Sequence, residues 1–261
     1  MARVFLTGDL HSDPRRFGKK AFSDLTKNDF VIVLGDFGLM FEETESKTET
    51  YWLDWLENKP FTTLFVDGNH ENFDRLNALP VESRFGGKVH TLRPSVLHLM
   101  RGEVYNLNGF KTFAFGGAPS HDIQGFATKE ELSRDYTAGI LKKDDPNFKK
   151  KKDRLKKQKK DFRVEHVNWW RKEFPTEQEF EHGLTTLHEH NLSVDLVLTH
   201  DAPEKYRKQL NTNVPRSALN DYFEQLLDTL SYKHWFFGHY HSDTMLTDTD
   251  GCLYETVLEL T

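Results

Sequence analysis

Residues 63–70 read Thr63-Leu64-Phe65-Val66-Asp67-Gly68-Asn69-His70. Four residues of strand character run directly into a turn that carries an amide and an imidazole. A short run rich in Val, Leu and Phe that stops at Gly or Asp reads as a buried strand. The same grammar recurs along the chain. Val4–Thr7 leads to Gly8-Asp9, Phe30–Leu34 to Gly35-Asp36, and Phe113–Phe115 to Gly116-Gly117. Leu196–Thr199 leads to His200 and Trp235–Phe237 to Gly238-His239, and Cys252–Leu260 reads as a last strand. Helical spacing appears between the runs, in Ser46–Glu57 and Ser217–Leu230. Thr176 followed by Glu179 is a capping box that opens a helix reaching about His190. Strands alternating with helices predict an α/β layered fold.

The polar residues at the strand ends form a set: Asp9-x-His11, Gly35-Asp36, Gly68-Asn69-His70, His200, and Gly238-His239-x-His241. Strand C-termini in open α/β sheets converge on one crevice, so five loops are expected to meet. Two carboxylates, one amide and five imidazoles suit two divalent cations sharing a bridging Asp. Such a pair, roughly 3.5–4 Å apart, clamps a phosphoryl group and generates hydroxide at neutral pH. Oxygen and nitrogen donors without thiolate favour Mn²⁺, Fe or Zn²⁺ over a closed structural zinc site. The glycines let a strand end turn sharply and approach closely.

The chain resembles the calcineurin-like metallophosphoesterases, whose pattern is D-x-H, G-D, G-N-H-[DE], a lone H, then G-H-x-H. All five blocks occur in order between Gly8 and His241, the third as Gly68-Asn69-His70-Glu71. The resemblance implies a four-layer α/β/β/α sandwich. It implies one metal on Asp9, His11 and His241, a second on Asn69, His200 and His239, and Asp36 as the bridge. His70 is implied to assist the leaving group, as general acid or phosphate donor, while metal-bound hydroxide attacks a phosphomonoester or phosphodiester, with a nucleotide among the candidates. Asp36, Asn69 and His70 are thus the catalytic set, and two divalent ions, Mn²⁺ first, the cofactors. The V-D-R-G extension of the protein Ser/Thr phosphatases is absent, since Asp36 is followed by Phe37-Gly38-Leu39-Met40. That turns the reading away from phosphoproteins. The chain is also similar to small bacterial and phage members with G-G-A-x-S-H-D and W-W-x-x-E-x-P stretches, here at 116–122 and 169–175. His121, in the first stretch, is a candidate substrate contact. A catalytically dead interaction module is disfavoured because all eight matching residues are present.

Composition bounds the rest. The 261 residues fit a single domain, 1–261, with strand signals fading over 122–175, which reads as a helical insertion or cap. The formal net charge of −6 hides an asymmetry. Residues 142–163, KKDDPNFKKKKDRLKKQKKDFR, carry +8, which leaves −14 on the remainder. Charge runs usually form solvated helices. The alternative is a contact for nucleic acid, which would make the enzyme a nuclease or end processor. Leu155 and Phe162 are spaced to let one helical face dock. Trp169-Trp170 are expected to pack this region onto the body, Arg15 and Arg16 to begin a solvated helix, and Tyr240 to be buried by alternation. His90, His98, His182, His188 and His190 are read as ordinary core or surface residues. No apolar run approaches the 18 or so residues of a membrane span, and no secretory signal is expected. The single cysteine, Cys252, excludes an internal disulfide and suits a reduced, cytoplasmic setting. Oligomeric state is left open.

Overall fold

Side-chain alternation along the apolar runs sorts the core. In the computed structural model, which describes residues 2–18, 22–120, 139–210, 212 and 216–260, the first runs form β1 (Val4–Thr7), β2 (Phe30–Leu34) and β3 (Thr62–Val66). Val4, Leu6, Ile32, Leu34, Leu64 and Val66 join one cluster, while Phe5, Val31, Val33 and Phe65 join another. Both faces of these strands are therefore buried, as parallel pairing requires. β1, β2 and β3 pair in parallel. Helix α1 (Lys47–Glu57) connects β2 to β3, capped where the Ser46 side chain accepts the Glu49 N–H. It puts Leu53 and Leu56 into the Phe5–Phe65 cluster. The short helix α2 (Phe73–Leu76) follows β3.

The next strands, β4 (Val81–Arg84), β5 (Gly87–Arg93), β6 (Val96–Leu99) and β7 (Glu103–Leu107), are absent from the sequence reading. In β4 and β5 apolar residues are interleaved with charge and β4 is largely exposed, while β6 is a four-residue buried run broken by His98. β6 pairs in parallel with β3, and β5 and β4 follow antiparallel. β7 forms an antiparallel pair with β8 (Phe110–Phe115), which opens the second sheet.

β9 (Ile140–Leu141) and β10 (Arg163–Val164) form a separate two-stranded sheet around helix α3 (Phe148–Lys157). Helix α3 carries most of the basic run and has no buried residue. Leu155 and Phe162 are only half-buried. Trp169 and Trp170 are buried as expected, and Trp170 joins the outer cluster of the first sheet, its Nε1–H donating to Asp74 at 2.7 Å.

Helix α4 (Glu177–Glu189) begins at the Thr176/Glu179 capping box, with both reciprocal bonds present. It is followed by β11 (Leu196–Thr199), α5 (Glu204–Gln209), α6 (Ala218–Thr229) and β12 (His234–Phe237). Ser217 and Asn220 box the start of α6. β8, β11 and β12 are parallel neighbours. Their alternate residues Ala114, Leu196, Leu198 and Phe236 face the first sheet's Val4–Val66 cluster. Phe113, Phe115, Val197, Trp235 and Phe237 pack outward against Phe180, Leu187, Tyr222, Phe223 and Leu226 of α4 and α6.

The last segment departs from expectation. Cys252–Leu260 is not one strand. β13 (Thr244–Met245) and β14 (Asp250–Cys252) belong to the second sheet, and β15 (Leu258–Leu260) is antiparallel to β1 in the first. The Asp243 carboxylate accepts the N–H groups of Tyr254, Glu255 and Thr256 at 2.8, 3.2 and 3.1 Å, which bends the chain between sheets. The strand orders are β15-β1-β2-β3-β6-β5-β4 and β13-β14-β12-β11-β8-β7. Among the described residues no helix is long and apolar enough to cross a membrane.

Leu97 in β6 is fully buried between the sheets. Leu97→Ala is expected to cost about 3 kcal/mol through lost transfer energy and a residual cavity. Urea unfolding should show a lower midpoint with an unchanged slope.

Candidate metal centre

The C-terminal ends of β1, β2, β3, β11 and β12 place their following loops side by side, where the two sheets meet. Asp9 and His11 follow β1, Asp36 follows β2, Asn69 and His70 follow β3, His200 follows β11, and His239 and His241 follow β12. The structure brings the side chains of Asp9, His11, Asp36, His70, His200, His239 and His241 into one cluster, with Asn69 in the same loop as His70. His241 Nε2 lies 3.1 Å from Asp9 Oδ2 and 2.9 Å from His11 Nε2, itself 3.8 Å from Asp9 Oδ2. Asp36 sits between two groups, its Oδ2 3.9 Å from His11 Nε2 and its Oδ1 3.3 Å from His200 Nε2. The rings of His200 and His239 are 4.9 Å apart. Three carboxylate–imidazole sets are tight enough to hold a cation: Asp9 with His11 and His241, His11 with Asp36 and His70, and Asp9 with Asp36 and His200.

Backbone geometry explains the glycines. His11, Asp36, His239 and His241 take φ of 45°, 44°, 68° and 47°, a left-handed region costly for such residues. A Cβ on Gly35, itself at φ 95°, would fall 2.0 Å from His200 Nδ1. One on Gly68 would fall 2.1 Å from Asp36 Oδ1. Neither loop could close on the other with a side chain in the way.

Hydrogen bonds orient the donors. His200 Nδ1–H donates to the Leu34 carbonyl at 2.7 Å, so Nε2, facing Asp36, is the nitrogen whose lone pair a cation would take in place of a proton. Asp36 Oδ1 accepts the His70 N–H at 2.9 Å, and Asp9 Oδ1 accepts the His239 N–H at 3.0 Å. Asn69 Oδ1 is buried with no hydrogen-bond partner among the described residues. An orphaned buried acceptor is costly unless something supplies positive charge. With the oxygen and nitrogen donors beside it, that orphan fits a divalent cation.

The electrostatics agree. Burial opposes the charge on Asp36, but the imidazoles of His200, His70 and His239 hold its carboxyl far below the usual range. Burial likewise opposes charge on His200, yet the Asp36 carboxylate outweighs it and lifts the imidazole to about 10. Burial pulls His11 down, whereas the hydrogen bond to Asp9 raises His241. A divalent cation replaces such protons as countercharge, so its binding releases them.

Several supporting residues escaped the sequence reading. Glu71 carries no assigned role there, but its buried carboxylate accepts the Phe37 and Gly38 N–H groups at 2.8 and 3.2 Å, locking the third block onto the second. Burial, then the nearby Asp36 charge, push its pKa well up. Asp67 Oδ2 receives Arg101 Nε and Nη2 at 3.0 and 2.5 Å, while His98 Nε2 meets Oδ1 at 3.0 Å. Arg101 Nη2 also reaches the Lys172 and Glu173 carbonyls, and Glu173 accepts the Ser120 N–H at 2.6 Å and its hydroxyl at 2.7 Å. The 116–120 and 169–173 stretches thus meet at Asp67, two residues before Asn69. Arg101 stands alone among unrelated residues, so nothing in the sequence marks it.

Arg16 does not begin a solvated helix. It lies in a 3₁₀ turn, Pro14–Gly18, and its guanidinium turns inward to the Asp9 carbonyl at 2.8 Å and Thr7 Oγ1 at 2.9 Å. Arg15 is exposed and pairs with Asp13. Tyr240 is half-buried and donates its hydroxyl to Asp201, tying the His200 and His239 loops together. His121 lies outside the described residues.

Residues 2–243 match the family model of the calcineurin-like phosphoesterases, and the chain belongs to that family. No curated protein is significantly similar to it.

His90 Nδ1 lies 3.0 Å from His98 Nδ1, and burial, then the proximity of His98, lower its pKa to about 4. The unfolded chain therefore binds the extra proton first as pH falls below about 6.5. The stability from a neutral His90 is complete above that value and is lost as pH drops toward 4. Urea midpoints of wild type and His90→Gln, compared from pH 7.5 to 4.5, should show a shallower acid slope in the variant. Parallel slopes would refute this assignment.

Proposed function

We propose that this member of the calcineurin-like phosphoesterases is a dinuclear-metal phosphoester hydrolase acting on a phosphomonoester or phosphodiester. The supporting observation is the buried Asp36 carboxylate with an imidazole nitrogen on either side, 3.9 Å to His11 and 3.3 Å to His200. In this reading Asp9, His11 and His241 hold one cation. Asn69, His200 and His239 hold the other, Asp36 bridges, and Mn²⁺ is the preferred metal. Two such cations supply charge neutralisation on the phosphate oxygens and activation of a water nucleophile.

The chain's own residues do the rest. The imidazole of His70, half-buried beside His11 with ring centroids 5.1 Å apart, holds a ring N–H toward the departing oxygen. Its backbone N–H, fixed on Asp36, sets where that ring stands. Leu34, through its carbonyl, keeps His200 in the tautomer a ligand needs. The two sheets with helices against their outer faces would form the family's four-layer sandwich as a single domain, with 122–175 as its Lys-rich insertion, of which 122–138 lie outside the described residues.

The test is hydrolysis of p-nitrophenyl and bis(p-nitrophenyl) phosphate with added Mn²⁺. Asp36→Asn should lose bound metal by elemental analysis as well as activity. His70→Ala should keep its metal but lose about 10²–10⁴-fold in turnover, most for poor leaving groups. Loss of metal from His70→Ala would show His70 to be a ligand instead.

A second reading, nucleic-acid processing, is favoured by α3, which exposes a run of basic side chains without burying any residue. It predicts salt-sensitive binding to nucleic acid that disappears when residues 142–163 are deleted. Binding that survives the deletion removes this reading.

A further inference from the structure

His11 and His70 also line a cleft of about 350 Å³ that opens beside the centre, a volume in the range of small-molecule sites. Leu39, Phe41 and Trp52 form its apolar wall, and Glu42 and Glu49 its acidic part. Packing holds the aromatic wall in place. The Trp52 ring meets those of Tyr51 and Trp55 edge-on at 5.0 and 5.4 Å, and Phe41 meets Trp170 at 5.6 Å. Among the described residues lining the cleft none is Lys or Arg. Behind it, Arg75 is spent on Glu49, with both guanidinium nitrogens on that carboxylate at 2.7 and 2.8 Å. Arg75 also donates to the Glu42 backbone carbonyl at 3.1 Å, but the Glu42 carboxylate itself makes no ion pair among the described residues.

A group entering this cleft meets flat apolar surface and, at the rim away from the centre, the Glu42 carboxylate. An anionic substituent there would lose water and gain repulsion. A flat uncharged one would bury area against an indole already held rigid, at small entropic cost. Because His70 belongs to both the centre and the cleft, phosphorus at the centre places the departing group against this wall. We propose that the cleft binds a flat, uncharged leaving group, an aryl ring or a nucleobase-bearing alcohol, and selects against esters whose leaving group carries a second negative charge. This rests on the phosphoesterase reading above.

The experiment compares p-nitrophenyl phosphate with 4-carboxyphenyl phosphate, by phosphate release with Mn²⁺, in wild type and three variants. Trp52→Ala should raise KM for p-nitrophenyl phosphate at least about tenfold with kcat within about threefold, and Trp52→Phe should restore KM. Glu42→Lys should shift the kcat/KM ratio of the two esters at least about tenfold toward the carboxylate, intrinsic reactivity cancelling between enzymes. An unmoved KM in Trp52→Ala, or an unmoved ratio in Glu42→Lys, overturns the proposal. Phenylphosphonate, which cannot be hydrolysed, gives an independent readout by calorimetry. Its Kd should weaken about tenfold in Trp52→Ala, and equal affinities count against the cleft. Absence of Mn²⁺-dependent hydrolysis of either ester and of bis(p-nitrophenyl) phosphate would instead sink the phosphoesterase reading, while the calorimetry would still judge the cleft.

Discussion

A carboxylate almost wholly removed from water is the constraint around which this molecule is arranged. Asp36 is 2% exposed and Asp9 1%. Each would shed its charge in an apolar interior. Here Asp36 accepts the His70 N–H and faces His200 from the far sheet, and Asp9 accepts the His239 N–H and meets His241 from that sheet. Those partners lie more than a hundred residues away in several cases, so the buried carboxylates meet their partners only once both sheets have closed together. Burial of the charge and assembly of the site are one event.

The loops bear the local cost. Four non-glycine site residues sit at positive φ, and Asn69 Oδ1 is buried unmatched. Strain of this kind persists only where the surroundings over-determine it. The surroundings are a core in three clusters, one between the sheets and one outside each. To these the polar braces are added: Glu71 across the second and third loops, Arg16 beneath the first, Tyr240 on Asp201, and Arg101 with Glu173 behind Asp67. Each removes a way for a loop to move, and Tyr240 also packs edge-on against the His239 ring at 5.1 Å.

Charge is distributed with the same locality. The net −6 is the sum of a basic run and an acidic body, and neither describes the surroundings of the centre. The described lining of the neighbouring cleft is apolar and acidic, whereas the basic run lies on α3. A cation pair at Asp9 and Asp36 would attract phosphate to the centre itself. Selection among esters would then fall to the uncharged wall beside it.

Much of this was legible in the sequence. The parallel central strands show because burial on both faces demands uninterrupted apolar residues, and the site residues show because they occupy the first positions after those strands. Glycine before Asp36 and Asn69 marks where loops must nearly touch. The strands over 81–107 did not show, because β4 and β5 alternate charge with apolar residues and the buried β6 is only four residues long and broken by His98. The end of the chain was misread as one strand because Asp243, the residue that bends it, lies outside the apolar run. Linear order therefore determined which residues are the candidates for the centre and which element each follows. Tertiary structure alone decided that Leu34 orients His200, that Arg101 and Glu173 brace Asp67, that Arg16 faces inward, and that Trp52 stands beside His70. These are contacts between residues distant in sequence, set by how two sheets pack, and no local pattern of residues encodes them.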